Sequence, residues 1–430
     1  MYESLSFSLP NPCRTLLKVV FGSALIFIAG CLRIPAPAKR RFGRWLSFTF
    51  PAAAQTLDSI PQDRLKNYVL FISLRPHTRE TRLAQAARMA GWDPILVYAG
   101  GDLKYDPSKF FRMHARVGGL LRLLWVTWFF RGSLVHVFAP DGAQAYLLCK
   151  AKAGRVVLDI NDTCMSHLLN INPRIWHYCE REAISAADGM THRDLRVKYL
   201  QKLYGYSLPP HNILVEDPLT ETSPRPNKSK LGGEIHVISS GYLGIGENTI
   251  LRTIRALCTH QIHVHLYTMP FQQKDDPEMR VYRELQNESA YFHWEEAVYG
   301  ETYWERLSLC DFGLTSYEPF VFGERPTLCT EDAVRGCASS RVMDYVQASL
   351  GIIIPPGVAF QWFMARRYAT VAVPLTREFL KNPRPILEAA LREKAKAKPK
   401  NLFPISVYGV APRLGRFYSE VTADKSFRKV

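Results

Sequence analysis

Short apolar runs alternate with helix-period stretches along most of the chain. From residue 67 onward, YVLFISL (68–74), PILVYAG (94–100), LVHVFAP (134–140), RVVLDIN (155–161), GMTH (189–192) and NILVEDP (212–218) predict strands. Between them, 78–91, 141–154 and 175–188 repeat apolar positions at helical spacing. Strands that are apolar on both faces and separated by helices predict a parallel sheet covered on both sides. The polar stretch TETSPRPNKSKLGG (220–233) reads as a linker. A second set of runs follows at 234–241, 262–268, 291–296, 311–317, 351–357 and 369–375, with helices over 247–260, 339–350 and 360–368. The predicted fold is therefore α/β, with two Rossmann-like, doubly wound parallel-sheet domains at 67–219 and 234–400. Residues 401–430 add an amphipathic helix near 410–421 and a basic tail. Ligands of open α/β sheets lie beyond the carboxyl ends of the strands, so both sets of strand ends are expected to face a central cleft.

Residues 1–66 read differently. Val19–Leu32 is an uncharged apolar run with Arg14 and Lys18 before it and Arg33, Lys39, Arg40, Arg41 and Arg44 after it. It is short for a spanning helix, which needs about 20 apolar residues, and marginal when counted from Leu16. The expected role is a membrane anchor or interfacial helix followed by a basic linker. A cleaved signal with Ala36-Pro37-Ala38 at its end and a soluble tail are the other readings. The heavier positive charge after the run places the bulk of the chain on the cytoplasmic face, with the basic patch against anionic headgroups.

Composition sharpens this picture. The chain of 430 residues has 55 Lys and Arg against 39 Asp and Glu, a formal charge of +16. Of that charge, +6 falls within residues 1–66 and +8 within 376–430. Basic flanks around a nearly neutral middle favour an anionic membrane surface and argue against a nucleic-acid groove through the core. Nine cysteines without a CxxC spacing fit reduced thiols, with Cys149, Cys258 and Cys310 as small core residues. His263 and His265, on a predicted strand, read as core or edge side chains.

Two stretches carry candidate chemistry. Ser240-Gly241-Tyr242-Leu243-Gly244-Ile245-Gly246 follows a strand and opens a helix. Glycines there let the backbone approach a phosphate, and the helix start presents free N–H groups; a tight turn without a ligand needs the same residues. In the second, Ser339-Ser340-Arg341-Val342-Met343-Asp344, a serine is suited to the N-cap, and Arg341 and Asp344 share a helix face. Asp344 is placed to accept two ribose hydroxyls, and Ser339, Ser340 and Arg341 to hold a phosphate. A plain surface ion pair between Arg341 and Asp344 is the alternative.

The stretch SSRVMDY, continued by LGIIIPPG, resembles the donor-site helix of the GT-B glycosyltransferase superfamily, in its retaining branch. ISSGYLG, HVHLYT, YFHWEEAVYGE and LSLCDFGLTSYEP are similar to other parts of that superfamily's nucleotide-sugar domain, and LDINDT and AADGMTHRDLRVKYLQKLYG to its acceptor domain. The resemblance runs from about Tyr68 to Val421. It implies a nucleotide-diphosphate sugar donor bound by the second domain, an acceptor bound by the first, and a last helix that crosses back. Retaining members carry two Glu eight residues apart. Here Asp344 stands at the second position and Gly336 at the first, with Glu331 or Glu318 as the substitute.

In the first domain, His77 is placed as a base and Arg79 as a contact for phosphate or acceptor, both in the loop Arg75-Pro76-His77-Thr78-Arg79-Glu80. A capped helix start accounts for the same loop. Asp162 offers a carboxylate at the end of another strand, and either it or His77 would deprotonate the acceptor if the enzyme inverts. Tyr267 is expected to line the base pocket. No metal or other cofactor is expected. The aromatic run 118–133, with Trp125, Trp128 and Phe129 beside Arg122 and Arg131, is either a core helix or a second membrane-docking surface. The expected function is sugar transfer to a membrane-associated glycan or lipid-linked acceptor. A non-catalytic sugar-nucleotide-binding protein and a sugar-nucleotide epimerase on the same fold are the alternatives.

Overall fold

The computed structural model describes residues 67–100, 103, 105–130, 132–138, 142–151, 154–160, 173–229, 233–241, 250–268, 279–315, 317–324 and 330–423. The apolar run at 19–32 and its basic flank lie outside these residues. Among the described residues no helix is long and apolar enough to cross a membrane. The chain divides into two compact units. One holds residues 67–193, 197–218 and the C-terminal helix, and the other holds 194–196 and 219–406.

The first unit is built on seven parallel strands: β1 Tyr68–Ser73, β2 Asp93–Tyr98, β3 Met113–Arg116, β4 Leu134–Phe138, β5 Arg155–Ile160, β6 Gly189–His192 and β7 His211–Leu214. Their order is β3-β2-β1-β4-β5-β6-β7, so the winding reverses between β1 and β4. The helices are α1 Thr78–Met89, α2 Leu120–Phe129, α3 Gly142–Lys150, α4 Pro173–Ala186 and α5 Arg196–Tyr204. Leu70, Ile72, Val135 and Val137 pack on one face of the sheet, with Leu123, Trp125 and Val126 of α2. The aromatic run thus buries its Trp125 side in the core, while Leu121 stays exposed. Val69, Phe71, Leu134 and Phe138 face the opposite core.

That second core is closed by the C-terminal helix, Val407–Ala423, whose Val410, Leu414, Phe417, Tyr418 and Val421 are buried. Gly415 permits the close approach, since a Cβ there would lie 2.7 Å from the Cβ of Ala90 at the end of α1. The helix starts six residues after the predicted boundary at 401.

The second unit has six parallel strands: β8 His236–Gly241, β9 His263–Thr268, β10 Phe292–Glu295, β11 Phe312–Leu314, β12 Gly351–Ile354 and β13 Ala372–Pro374. The order β10-β9-β8-β11-β12-β13 reverses between β8 and β11. Its helices are α6 Leu251–Thr259, α7 Arg280–Glu288, α8 Gly300–Ser308, α9 Glu318–Phe322, α10 Glu331–Gly336, α11 Ser340–Gln347, α12 Ala359–Tyr368, α13 Arg377–Lys381 and α14 Pro383–Lys396. The stretch read as a linker is fastened to this unit. Arg225 N donates to Gln347 O at 2.6 Å, Lys228 N to Ser308 O at 2.8 Å, and the Arg225 guanidinium pairs with Glu221 and Glu301 over the Trp304 ring. Its polar residues serve as surface hydrogen-bonding groups, which composition alone does not separate from a solvated tether.

Candidate functional site

In the second unit, the switch point between β8 and β11 is where the topology leaves room for a ligand at the strands' carboxyl ends. β8 ends at Gly241, whose φ of 98° belongs to the left-handed region that a side chain rarely adopts. A Cβ on Gly241 would lie 3.6 Å from Arg341 Cδ, so the Arg341 side chain rests against the bare glycine. One residue earlier, Ser240 N donates to the Tyr345 hydroxyl at 3.1 Å, and Ser240 Oγ is 3.0 Å from the Tyr303 hydroxyl. Tyr303 in turn donates to Asp344 Oδ2 at 3.4 Å.

Tyr345 fixes this arrangement. It is fully buried, and its ring occupies the space in which a Cβ on Gly313 of β11 would sit, with Cδ2 2.2 Å from that position. α11 is therefore pinned over the two strands that flank the switch point. Burial pushes the Tyr345 phenol up. It also pushes Tyr303 well above its usual range, helped by the neighbouring Asp344 charge. Both phenols keep their protons at neutral pH and remain available as donors.

The structure thus brings Gly241, Arg341 and Asp344 together and adds Tyr303 and Tyr345. Tyr345 lay within the resembling helix without an assigned role. Tyr303 had no local signal, because only tertiary packing carries it to Asp344. Ser339 takes the N-cap position of α11 with extended backbone, but its side chain caps nothing, and Ser340 is the first helical residue. The first-turn N–H groups are therefore not satisfied by the serine expected to cap them. Tyr242, Gly244 and Gly246, and Asp162 in the first unit, lie outside the described residues.

Three expected site residues are placed differently. Tyr267 pairs in register with Ser240 but is packed in the hydrophobic core, where burial pushes its phenol up to about 12. Glu318, at the start of α9, accepts from Thr253 N in the first turn of α6 at 2.8 Å and from Arg252 Nε at 3.1 Å. Its buried carboxylate satisfies a helix N-terminus, where a negative charge is favoured. Before it, at the N-cap of α9, Tyr317 holds φ 43° and ψ 59°, a costly conformation for an aromatic residue, and its hydroxyl accepts from Gln361 Nε2 at 3.1 Å. Arg79 is the third and belongs to the first unit.

There, Arg79 is buried and donates to Asp159 from both Nε and Nη2, at 2.9 Å each, and to Asp217 and the Val215 carbonyl from Nη1 at 3.0 Å. Burial works against the Arg79 charge, but the two carboxylates hold it more firmly than usual. Burial alone would raise Asp217, and Arg193 and Arg79 reverse this and keep it below the carboxylate range. Asp159 also accepts from Thr191 Oγ1 at 2.6 Å, and His136 bridges Thr191 to the Tyr418 hydroxyl at 3.1 and 2.7 Å. Burial lowers His136 to about 3, so it is a neutral imidazole. This network is a buried ionic core beneath the β1–α1 corner, and it occupies the guanidinium expected to meet an acceptor. His77 is exposed and takes the N-cap of α1 in a capping box with Glu80, whose Oε2 accepts from His77 N at 3.0 Å. Glu80 Oε1 accepts from Ser73 Oγ at 2.9 Å, and burial pushes the Glu80 carboxyl up to about 7.

Among the described residues, the one group with metal-ligand spacing is Glu234, His236 and His263, at the opposite end of β8 from Gly241. The free cysteines Cys149, Cys179, Cys258, Cys310 and Cys337 are all buried.

No protein-family model and no curated protein sequence matches the chain. Solved structures do. A glycosyltransferase from Rickettsia africae is 11% identical, with 83% of this chain and 99% of that one covered at a TM-score of 0.55. Anabaena Alr3699/HepE in complex with UDP-glucose is 10% identical, covering 82% and 98% at 0.56. S. aureus MnaA in a UDP co-structure is 10% identical, covering 83% and 97% at 0.51. With two parallel sheets that each reverse their winding once, the chain has the GT-B fold in a strongly divergent sequence.

Proposed function

We propose that the protein is a glycosyltransferase that moves a sugar from a nucleotide-diphosphate donor to a membrane-associated glycan or lipid-linked acceptor at the cytoplasmic face. The observation that carries this reading is the convergence of Gly241, Arg341 and Asp344 at the carboxyl end of β8. In this reading Asp344, oriented by Tyr303, accepts the ribose hydroxyls. The α11 amides, Ser339, Ser340 and Arg341 take the diphosphate where Gly241 leaves room for it. An acceptor oxygen forms a bond to the anomeric carbon as the bond to the diphosphate oxygen breaks, and the acceptor proton passes to a base. The charge that develops on the diphosphate is met by donors already in place, which is the arrangement that lowers such a barrier. HepE and MnaA, crystallised with UDP-glucose and UDP, make uridine nucleotides the first donors to test.

A second reading, a sugar-nucleotide-binding protein without transferase activity, is favoured by one observation. The Glu318 carboxylate is held by α6, and Gly336 stands where a first glutamate is expected. Thermal-shift titration with UDP, GDP and dTDP, followed by a mass-spectrometric donor screen with membranes as acceptor, separates the readings. Stabilisation by a nucleotide together with a sugar-bearing product supports the transferase. Stabilisation without turnover of any nucleotide sugar supports the binding protein. No stabilisation by any nucleotide contradicts both.

A further inference from the structure

Four imidazoles occupy three adjacent strands at the amino-terminal end of the second sheet: His236 on β8, His263 and His265 on β9, and His293 on β10. Register pairs His236 with His263 and His265 with His293. The rings are stacked across the strands, with centroids 4.6 Å apart in each pair and interplanar angles of 8° and 18°. They are also linked diagonally between neighbouring strands. His236 Nδ1 lies 2.9 Å from His265 Nε2, and His263 Nδ1 lies 2.9 Å from His293 Nε2.

Each N···N contact holds one proton. With that proton on Nδ1 of His236 and of His263, the Nε2 atom of each ring is a bare lone pair. Both of these Nε2 atoms are buried and make no well-aligned hydrogen bond. The His236 side chain itself is 9% exposed. Facing them is the Glu234 carboxylate, with Oε2 3.0 Å from His263 Nε2 and 3.9 Å from His236 Nε2. The three atoms all lie within 4.8 Å of one another.

We propose that Glu234, His236 and His263 bind one divalent transition-metal cation, with zinc the best chemical fit. Two borderline imidazole nitrogens with one harder carboxylate oxygen form a mixed donor set that suits zinc. Ligands about 2.0–2.1 Å from the metal stand roughly 3.3 Å apart. The Glu234–His263 spacing is already near that value, and the exposed Glu234 side chain is free to close the rest. Water completes the coordination. His265 and His293 act as the outer shell, accepting the Nδ1 proton of each ligand and so fixing the tautomer that presents Nε2 to the metal. Protonated rings stacked this closely would repel one another, whereas a shared cation needs them neutral. The site lies at the opposite end of β8 from Gly241, so it clasps β8 to β9 and takes no part at the donor site.

The test uses the full-length chain, stripped with a chelator and titrated with Zn(II) against a chromophoric competitor, and with Co(II) for its visible absorption. One equivalent per chain with tetrahedral Co(II) bands is expected, together with a metal-dependent rise in melting temperature. Glu234→Gln and His263→Gln should each abolish the equivalent, and His265→Phe should weaken it about tenfold or more. The exposed position of Glu234 keeps that variant folded if His263→Gln is not. The proposal is overturned if the wild type takes up no equivalent, or if uptake persists undiminished in Glu234→Gln and His263→Gln.

Discussion

The Tyr303 hydroxyl lies 3.4 Å from Asp344 Oδ2, across 41 residues of sequence, and is shared with Ser240 Oγ at the end of β8. The carboxylate proposed as the ribose ligand is thus aimed from a neighbouring helix. Tyr303→Phe removes only the donor atom. At 3.4 Å this hydrogen bond to a carboxylate is long, and its loss, about 1 kcal/mol, should lower nucleotide affinity by about three- to tenfold in calorimetric titration. An unchanged affinity would mean that Tyr303 does not orient Asp344.

The contact between Gly313 and Tyr345 predicts a change in stability. A Cβ at Gly313 collides with the ring of a fully buried side chain, and overpacking of this kind costs about 1–3 kcal/mol. Gly313→Ala should lower the denaturation midpoint accordingly, and Tyr345→Leu in the same chain should recover part of the loss. Double-mutant denaturation curves that simply add would rule out the direct contact.

The Arg79 ion pairs separate a structural role from an acceptor-binding one. Removing one partner of a buried charge cluster strands the others, at about 3–5 kcal/mol. Arg79→Met should therefore destabilise the first unit by that order in urea unfolding, since it strips Asp159 of its guanidinium and leaves Asp217 with Arg193. Adding Asp159→Asn and Asp217→Asn should restore much of the loss. A stable Arg79→Met variant with only weakened acceptor binding would reverse this assignment.

Glu80 gives the account a pH signature. Its folded carboxyl is raised to about 7 from an ordinary 4.5, chiefly by burial. Between those values the folded state keeps a proton that the unfolded chain releases. Stability from this group is full below about pH 4.5 and is lost as pH rises through 7. The difference approaches about 3 kcal/mol at full effect. Glu80→Gln should flatten this slope, so that stability relative to wild type is higher at pH 8 than at pH 5. Parallel stability–pH curves for the two proteins would contradict it.

Much of the fold was legible because buried parallel strands are largely apolar runs, and each run read as a strand from residue 67 onward became one. β3 was not: Met113–Arg116 is four residues long, alternates half-buried with exposed positions at a sheet edge, and so carries no apolar block. In the site, Gly241, Arg341 and Asp344 were legible because a strand end and a helix start are local features. Tyr303 was not, and the roles of Glu318 and Arg79 were misjudged, for a common reason. Their partners lie far away in sequence, 65 residues for Glu318 with Thr253, and 80 and 138 for Arg79 with Asp159 and Asp217. A charge that reads as solvated chemistry in a loop can equally be half of a buried pair.

The most direct test of the donor-site account is calorimetric titration of the Asp344→Ala variant against the nucleotide that stabilises the wild type most. Hydrogen bonds to a charged group are worth about 1.5–3 kcal/mol. The account predicts that affinity drops by at least about tenfold while the melting temperature of the free protein stays near that of the wild type. Equal affinity in the two proteins would contradict it.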